Sequence, residues 1–180
     1  MMIQALRIRE IDRSEYSILG ELMVDVYSKL EGFPSPAEQP DYYEKLRNIG
    51  RLNEQAHTTV LVAESAEQAI VGGVVYFDDM AMYGSGGTAT QEQNASGIRL
   101  LCVDPKSTGM GVGKALTNEC IRLAKASGNT QVILHTTQSM EIAWRLYEKI
   151  GFERSTDLDF SQGELPVFGL RLILKDEIKT

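Results

Sequence analysis

The 180-residue sequence predicts an α/β fold of the α+β kind, a mixed sheet of about six or seven strands with helices packed on its faces. Three observations lead there. Apolar, β-branched runs recur at residues 58–64, 70–78, 98–103 and 132–135. Stripes with helical spacing separate them unevenly, in the order strand, two helices, three strands, helix, strand, helix, two strands. A strict strand–helix alternation, the mark of a doubly wound sheet, is missing. No repeat and no linker divides the sequence, so residues 1–180 are expected to form a single domain.

The first strand is marked by Leu6 and Ile8 alternating with Arg7 and Arg9. Ser14 is placed to cap a helix whose apolar stripe is Ile18, Leu19, Leu22, Met23, Val26, Tyr27 and Leu30. Gly32, Pro34, Pro36 and Pro40 break that pattern, and a second begins near Asp41 with Tyr42, Tyr43, Leu46 and Ile49 before Gly50 weakens it. The runs at 58–64 and 70–78 flank a short polar segment and predict a hairpin. Residues 80–97 contain four glycines and many polar side chains. They read as irregular, either a long mobile loop or a distorted hairpin connection, with little apolar surface for an anchor, and are expected to border a substrate and to order at least partly when it binds. A strand over 98–103 follows and stops at Asp104-Pro105. After the glycine-rich stretch 109–113, Leu116, Cys120, Ile121, Leu123 and Ala124 share one face of a helix that ends at Ser127-Gly128-Asn129. Residues 132–135 form a buried strand. Residues 140–150 form a helix with Ala143, Leu146, Tyr147 and Ile150 on one face, stopped by Gly151. Phe152 opens another strand, and 167–174 close the fold.

Composition excludes several function classes. Lys plus Arg number 18 against 25 Asp plus Glu, a net charge of −7 with no basic run, so no nucleic-acid partner is expected. An acidic surface suits a cationic substrate such as an amine and equally serves solubility. Cys102 and Cys120 lie in apolar stretches and read as buried free thiols in a reducing compartment. Residues 1–10 carry charges where a signal peptide needs an apolar run, and no stretch reaches the ~18 apolar residues of a membrane helix. The expectation is a soluble, cytoplasmic protein without membrane contact. No His, Cys, Asp and Glu cluster has the spacing of a metal site.

The segment Val103-Asp104-Pro105-Lys106-Ser107-Thr108-Gly109-Met110-Gly111-Val112-Gly113-Lys114-Ala115-Leu116 carries the chemistry. Glycines let the backbone adopt positive φ and approach a ligand closely. The helix that follows presents unpaired amides and the positive end of its dipole, a site for a phosphate or pyrophosphate. A mononucleotide P-loop needs a glycine five residues before Gly113 and Ser or Thr after Lys114; Thr108 and Ala115 stand there instead. A dinucleotide fingerprint starting at Gly109 needs a sixth-position glycine where Lys114 stands.

On these residues the chain resembles the GNAT superfamily of N-acetyltransferases. Their loop V-x-P-x-x-R-G-x-G-I/V-G-x-x-L is matched at Val103, Pro105, Gly109, Gly111, Val112, Gly113 and Leu116. A second segment, Ala143-Trp144-Arg145-Leu146-Tyr147-Glu148-Lys149-Ile150-Gly151-Phe152, is similar to the family's A-x-x-L-Y-x-K-x-G-F. The resemblance implies a mostly antiparallel sheet whose strand before the loop bulges and splays from its neighbour. It implies acetyl-CoA as cofactor, and transfer of the acetyl group to a primary amine of a small molecule or a protein by direct attack in a ternary complex. The pantetheine and thioester are then expected against the backbone of Leu101, Cys102 and Val103. The pyrophosphate is expected on Thr108, Gly109, Met110, Gly111, Val112, Gly113 and Lys114. Tyr147 is the expected general acid, since a phenol stays protonated at neutral pH. His135 and Asp79 are the candidate bases, with Asp78 and Glu31 near the same region, and His57 reads as a surface residue. Thr108 stands where the family usually has Arg or Gln, and Met140 where it often has Asn near the pantetheine. These departures keep a second reading open, a non-catalytic CoA-binding regulatory domain. GNAT domains are often dimers, which makes a homodimer an expectation as well.

Overall fold

A computed structural model describes residues 5–175. Eight strands build the sheet: β1 (Arg7–Glu10), β2 (Thr58–Glu64), β3 (Ile70–Phe77), β4 (Ala95–Val103), β5 (Gln131–Thr136), β6 (Glu153–Arg154), β7 (Phe160–Gln162) and β8 (Leu165–Ile173). Their order is β1-β2-β3-β4-β5-β8-β6, with β7 paired to β8, and every pairing is antiparallel except β4 with β5. That one parallel pair requires a crossover, supplied by α3 (Val112–Ala126). The other helices are α1 (Tyr16–Ser28), α2 (Pro40–Arg47) and α4 (Glu141–Ile150).

The sheet has an apolar layer on each side. Leu19, Met23 and Tyr27 of α1 with Tyr43 and Leu46 of α2 pack on one face; Val112, Leu116 and Cys120 of α3 with Tyr147 of α4 pack on the other. Neighbouring residues of a strand point to opposite faces, and Gly72 and Gly73 of β3 use this. A Cβ on Gly72 would stand 2.7 Å from Val112 Cγ1, and one on Gly73 would stand 2.5 Å from Leu19 Cδ1. Two adjacent glycines thus let α3 and α1 press on the same point of the sheet from both sides. No described helix is long and apolar enough to cross a membrane.

Three details differ from expectation. Asp12, not Ser14, opens the first helical segment: its amide donates to the Glu15 carboxylate at 2.9 Å and its carbonyl accepts from the Glu15 amide. Of the two readings of residues 80–97, the distorted hairpin connection holds, since they join the antiparallel pair β3 and β4, and the mobile loop with little anchorage does not. These residues hold two short 3₁₀ turns, Met80–Met82 and Ala89–Gln91, and Met80, Tyr83 and Ala89 are fully buried in the core. Gly97 already belongs to β4; a Cβ there would meet the Tyr83 ring at 2.6 Å and the Met80 sulfur at 2.9 Å. The anchoring residues have no regular spacing, so periodicity does not reveal them. The short polar strand β7 is the third difference, visible only through its pairing with β8.

β4 shapes the site. Gly73 opposes Cys102 and Val75 opposes Arg99, so Leu100 and Leu101 together face the single residue Val74. This is a β-bulge, and Leu100 has φ +59°. β5 pairs with β4 only from Ala95 to Ile98, against Gln131 to Leu134, while His135 and Thr136 pair with β8 alone. Beyond Ile98 and Leu134 the two strands part and leave a fork.

Candidate active site

At the foot of the fork the Asp104 carboxylate accepts from the Lys106 amide at 3.0 Å and fixes the Pro105–Ser107 turn. Gly109 and Gly111 follow with φ +86° and +78°, and Gly111 is the N-cap of α3. Nothing lies within 4 Å of a Cβ built on either. The next amides, Val112, Gly113 and Lys114, are first-turn donors with no partner inside the helix. Gly113 serves packing: its Cβ would stand 3.0 Å from Leu146 Cδ2 of α4.

A cleft of about 600 Å³ runs from this loop along the fork. Leu101, Cys102, Val103, Thr108, Gly109, Gly111, Val112, Gly113, Lys114, Met140, His135 and Tyr147 line it; Met110, Asp79, Asp78 and Glu31 do not. Thr136 and Thr137, also in its wall, have buried hydroxyls without a hydrogen-bond partner among the described residues. Free amides at the loop, open space over two positive-φ glycines and orphaned hydroxyls along the fork fit a long ligand with a phosphate end and a polar, amide-bearing arm. The Thr108 hydroxyl is committed to the Pro105 carbonyl at 2.9 Å, so it brings no free donor to a phosphate.

Tyr147 sits on the inner face of α4, its ring 5.7 Å from that of Phe152. Its Oη has no hydrogen-bond partner among the described residues and borders the cleft. Burial pushes its pKa well above the usual phenol value, so it carries its proton at neutral pH.

His135 ends β5. Its Nε2 lies 2.8 Å from the Leu158 carbonyl, which can only accept, so Nε2 carries the proton. Nδ1 is therefore the acceptor toward the Tyr83 hydroxyl at 2.8 Å. Burial lowers the imidazole pKa, the Leu158 carbonyl opposes that, and the Arg99 charge lowers it further. The ring is neutral at pH 7. Asp79 is occupied elsewhere, accepting from the Ala81 amide at 2.9 Å, and Asp78 pairs with His57 at 2.7 Å. Burial pushes the Cys102 thiol up to about 12, which removes it as a thiolate nucleophile. Among the described residues no group of three or more His, Cys, Asp and Glu is placed to hold a metal ion.

The structure adds wall residues that the sequence did not single out. Tyr27 Oη donates to the Leu101 carbonyl at 3.0 Å and so ties α1 to the bulge. Phe33, Tyr42, Tyr83 and Arg99 also line the cleft. Tyr27 and Tyr42 read as core members of helical stripes, and Tyr83 fell in the supposed loop. Arg99 did leave a trace, a charge inside an otherwise apolar strand.

The family model described as acetyltransferase (GNAT) family matches residues 20–152. Over 96 residues the chain is 34% identical to a mycothiol acetyltransferase of Stackebrandtia nassauensis, covering 53% of this chain and 30% of that protein. Over 67 residues it is 39% identical to a mycothiol acetyltransferase of Saccharomonospora viridis, covering 37% and 22%. The match thus spans less than a third of these relatives' length. Among solved structures, an acetyltransferase of the GNAT family from Staphylococcus aureus Mu50 superposes with a TM-score of 0.73 at 21% identity, covering 95% of this chain and 100% of that one. The PaiA N-acetyltransferase from Thermoplasma acidophilum, solved in complex with coenzyme A, superposes at 0.70 with 17% identity, covering 92% and 98%. Both share the fold.

Proposed function

The chain belongs to the acetyltransferase (GNAT) family, and from that premise we propose that it transfers an acetyl group from acetyl-CoA to the primary amine of an acceptor, both held at once in the cleft. The observation that carries this reading is the fork between β4 and β5, which opens onto free helix-start amides at one end and onto a free, protonated Tyr147 hydroxyl along its wall. Residues 1–180 act in this reading as one acetyltransferase domain.

When bound, acetyl-CoA supplies the acetyl group as a thioester. The amides of Gly109 and of Gly111 to Lys114 hold its pyrophosphate, that of Met110 being spent on the Ser107 carbonyl, and the parted edge of β4 at Leu101 to Val103 orients its arm. The bulge, braced by Tyr27, sets where backbone amides point, which is how developing negative charge on a carbonyl oxygen is stabilised. The acceptor nitrogen forms the new C–N bond as the C–S bond breaks. Two protons leave the ammonium nitrogen on the way to the amide and one reaches the sulfur. Tyr83 and His135 take the first, before attack: the Tyr83 oxygen accepts from the ammonium while its own proton moves to His135 Nδ1. Tyr147 Oη protonates the departing sulfur and is restored by the second proton, lost from the nitrogen once the C–N bond has formed. With Cys102 kept as a thiol, no acyl-cysteine step competes with direct transfer.

Thiol release from acetyl-CoA with a panel of primary amines tests the reaction. Release above the hydrolysis rate with at least one amine supports it. Tight CoA binding with no release on any amine would select the regulatory reading instead. The proton path makes its own prediction. His135 must be neutral to accept, so kcat/KM should rise with pH through a midpoint below the usual imidazole value of about 6.5. His135→Gln should lower turnover by roughly 10²-fold and abolish that acid limb. An unchanged acid limb in the variant would assign the base elsewhere. The same shift links to stability. The unfolded chain binds the His135 proton more readily, so stability is full above about pH 6.5 and falls as pH drops through the lowered midpoint.

A further inference from the structure

The proposed reaction gives the charged side chain of Arg99, in the cleft wall, no role. Arg99 follows Ile98, the last residue of β4 paired with β5, so it stands at the mouth of the fork. Its Nη1 donates to the Tyr83 carbonyl at 2.9 Å, and its Cζ lies 5.5 Å over the centre of the Tyr83 ring. One hydrogen bond and one aromatic face hold the guanidinium in place. No other hydrogen bond of Arg99, and no ion pair, occurs among the described residues.

Comparison with the other half-buried arginines makes this vacancy informative. Arg9 is held by Glu15 and Glu64, and Arg171 by Glu92 and Asp157. Each of those two has a pair of carboxylates; Arg99, equally half-buried, has none. A charge partly withdrawn from water is costly unless paired. The nearest titratable groups do not supply a counter-charge. Tyr27, Tyr42 and Tyr83 are neutral phenols with raised pKa values, and His135 is a neutral imidazole. Glu141, the carboxylate in the cleft wall, is paired with Arg145. Beside Arg99 the wall is aromatic: Tyr27, Phe33 and Tyr42 follow one another with ring centroids 5.7 Å apart.

We propose that Arg99 binds a carboxylate of the acceptor, which makes the acceptor an amino acid: an amine with a carboxylate on an apolar or aromatic body. A guanidinium fixed by one edge presents its remaining donors as a fork that matches a carboxylate in two parallel hydrogen bonds. Tyr83 then serves both ends of the acceptor, holding Arg99 through its carbonyl and ring and facing the amine with its hydroxyl. The inference rests on the acetyl-transfer reading and narrows its substrate class.

The experiment compares acids with their amides. Thiol release is measured on the twenty protein L-amino acids and on their carboxamides, and calorimetry measures binding of N-acetyl-L-phenylalanine and N-acetyl-L-phenylalaninamide to the CoA-loaded protein. At least one acid should exceed its amide by ~10²-fold in kcat/KM, and the N-acetylated acid should bind more tightly than its amide. Arg99→Gln should collapse both preferences toward one, and Arg99→Lys should keep part of them. CoA affinity, measured separately, should stay the same in each variant and reports that they are folded. Equal use of acids and amides, turnover confined to amines without a carboxylate, or CoA binding with no acid used would overturn the carboxylate assignment alone. Failure of the wild type to bind CoA would overturn the acetyl-transfer reading and this inference with it.

Discussion

Gly111→Val is expected to remove measurable CoA binding. Gly111 combines φ +78° with open space where its Cβ would be, at the N-cap of α3. A Cβ there meets nothing within 4 Å, so a side chain enters the open space at the start of α3 that the pyrophosphate is proposed to take. The change also has a conformational cost, since a β-branched residue in the left-handed region loses ~1–2 kcal/mol. Loss of binding and loss of fold must therefore be separated. Gly111→Asn does this, because Asn tolerates positive φ yet places a side chain in the same space. Calorimetry with CoA should show both variants at least ~10²-fold weaker, equivalent to about 2.8 kcal/mol, with the Asn variant melting close to wild type. An Asn variant that binds CoA with wild-type affinity would take the pyrophosphate away from this loop.

That loop was legible because its physics is local. Glycine spacing at a strand-to-helix junction declares where the backbone needs positive φ, and Gly109 and Gly111 have it. The helix bearing Tyr147 was legible for a similar reason, a short pattern ended by Gly151. The fork was expected only through the family resemblance. Leu100 gives no local sign of its φ of +59°; that conformation is imposed by β3, by Tyr27 and by the loss of pairing with β5. His135 could be read as a strand-end imidazole, but its tautomer depends on Leu158 and Tyr83, 23 and 52 residues away. The acceptor wall drew on α1, α2, the turn near Tyr83 and β4. Each of its residues looked like core or loop in its own neighbourhood, and only the tertiary fold brings them together.

Tyr147→Phe should lower turnover by roughly 10²–10⁴, the usual worth of a positioned proton donor. The substitution isolates the hydroxyl. The ring is buried, packs against Phe152 and keeps those contacts as Phe. Its Oη has no partner among the described residues, so no hydrogen bond inside the protein is lost and the melting temperature should hold or rise slightly. CoA affinity should change little, because the loop amides and the β4 edge lie outside the substitution. The pH profile adds a second check. Burial raises the phenol pKa, so Tyr147 stays protonated through the alkaline range in which an ordinary phenol begins to ionise. The deficit of the variant should therefore be the same at pH 7 and pH 9, and the wild type should show no loss of rate from this group between them. The measurement is thiol release on an amine that the wild type turns over efficiently, since binding of a poor surrogate limits the rate and hides the proton step. Near-normal turnover of Tyr147→Phe on such an amine would mean that water or another hydroxyl delivers the proton to sulfur. The two orphaned threonine hydroxyls of the same wall, Thr136 and Thr137, would then be the next groups to remove.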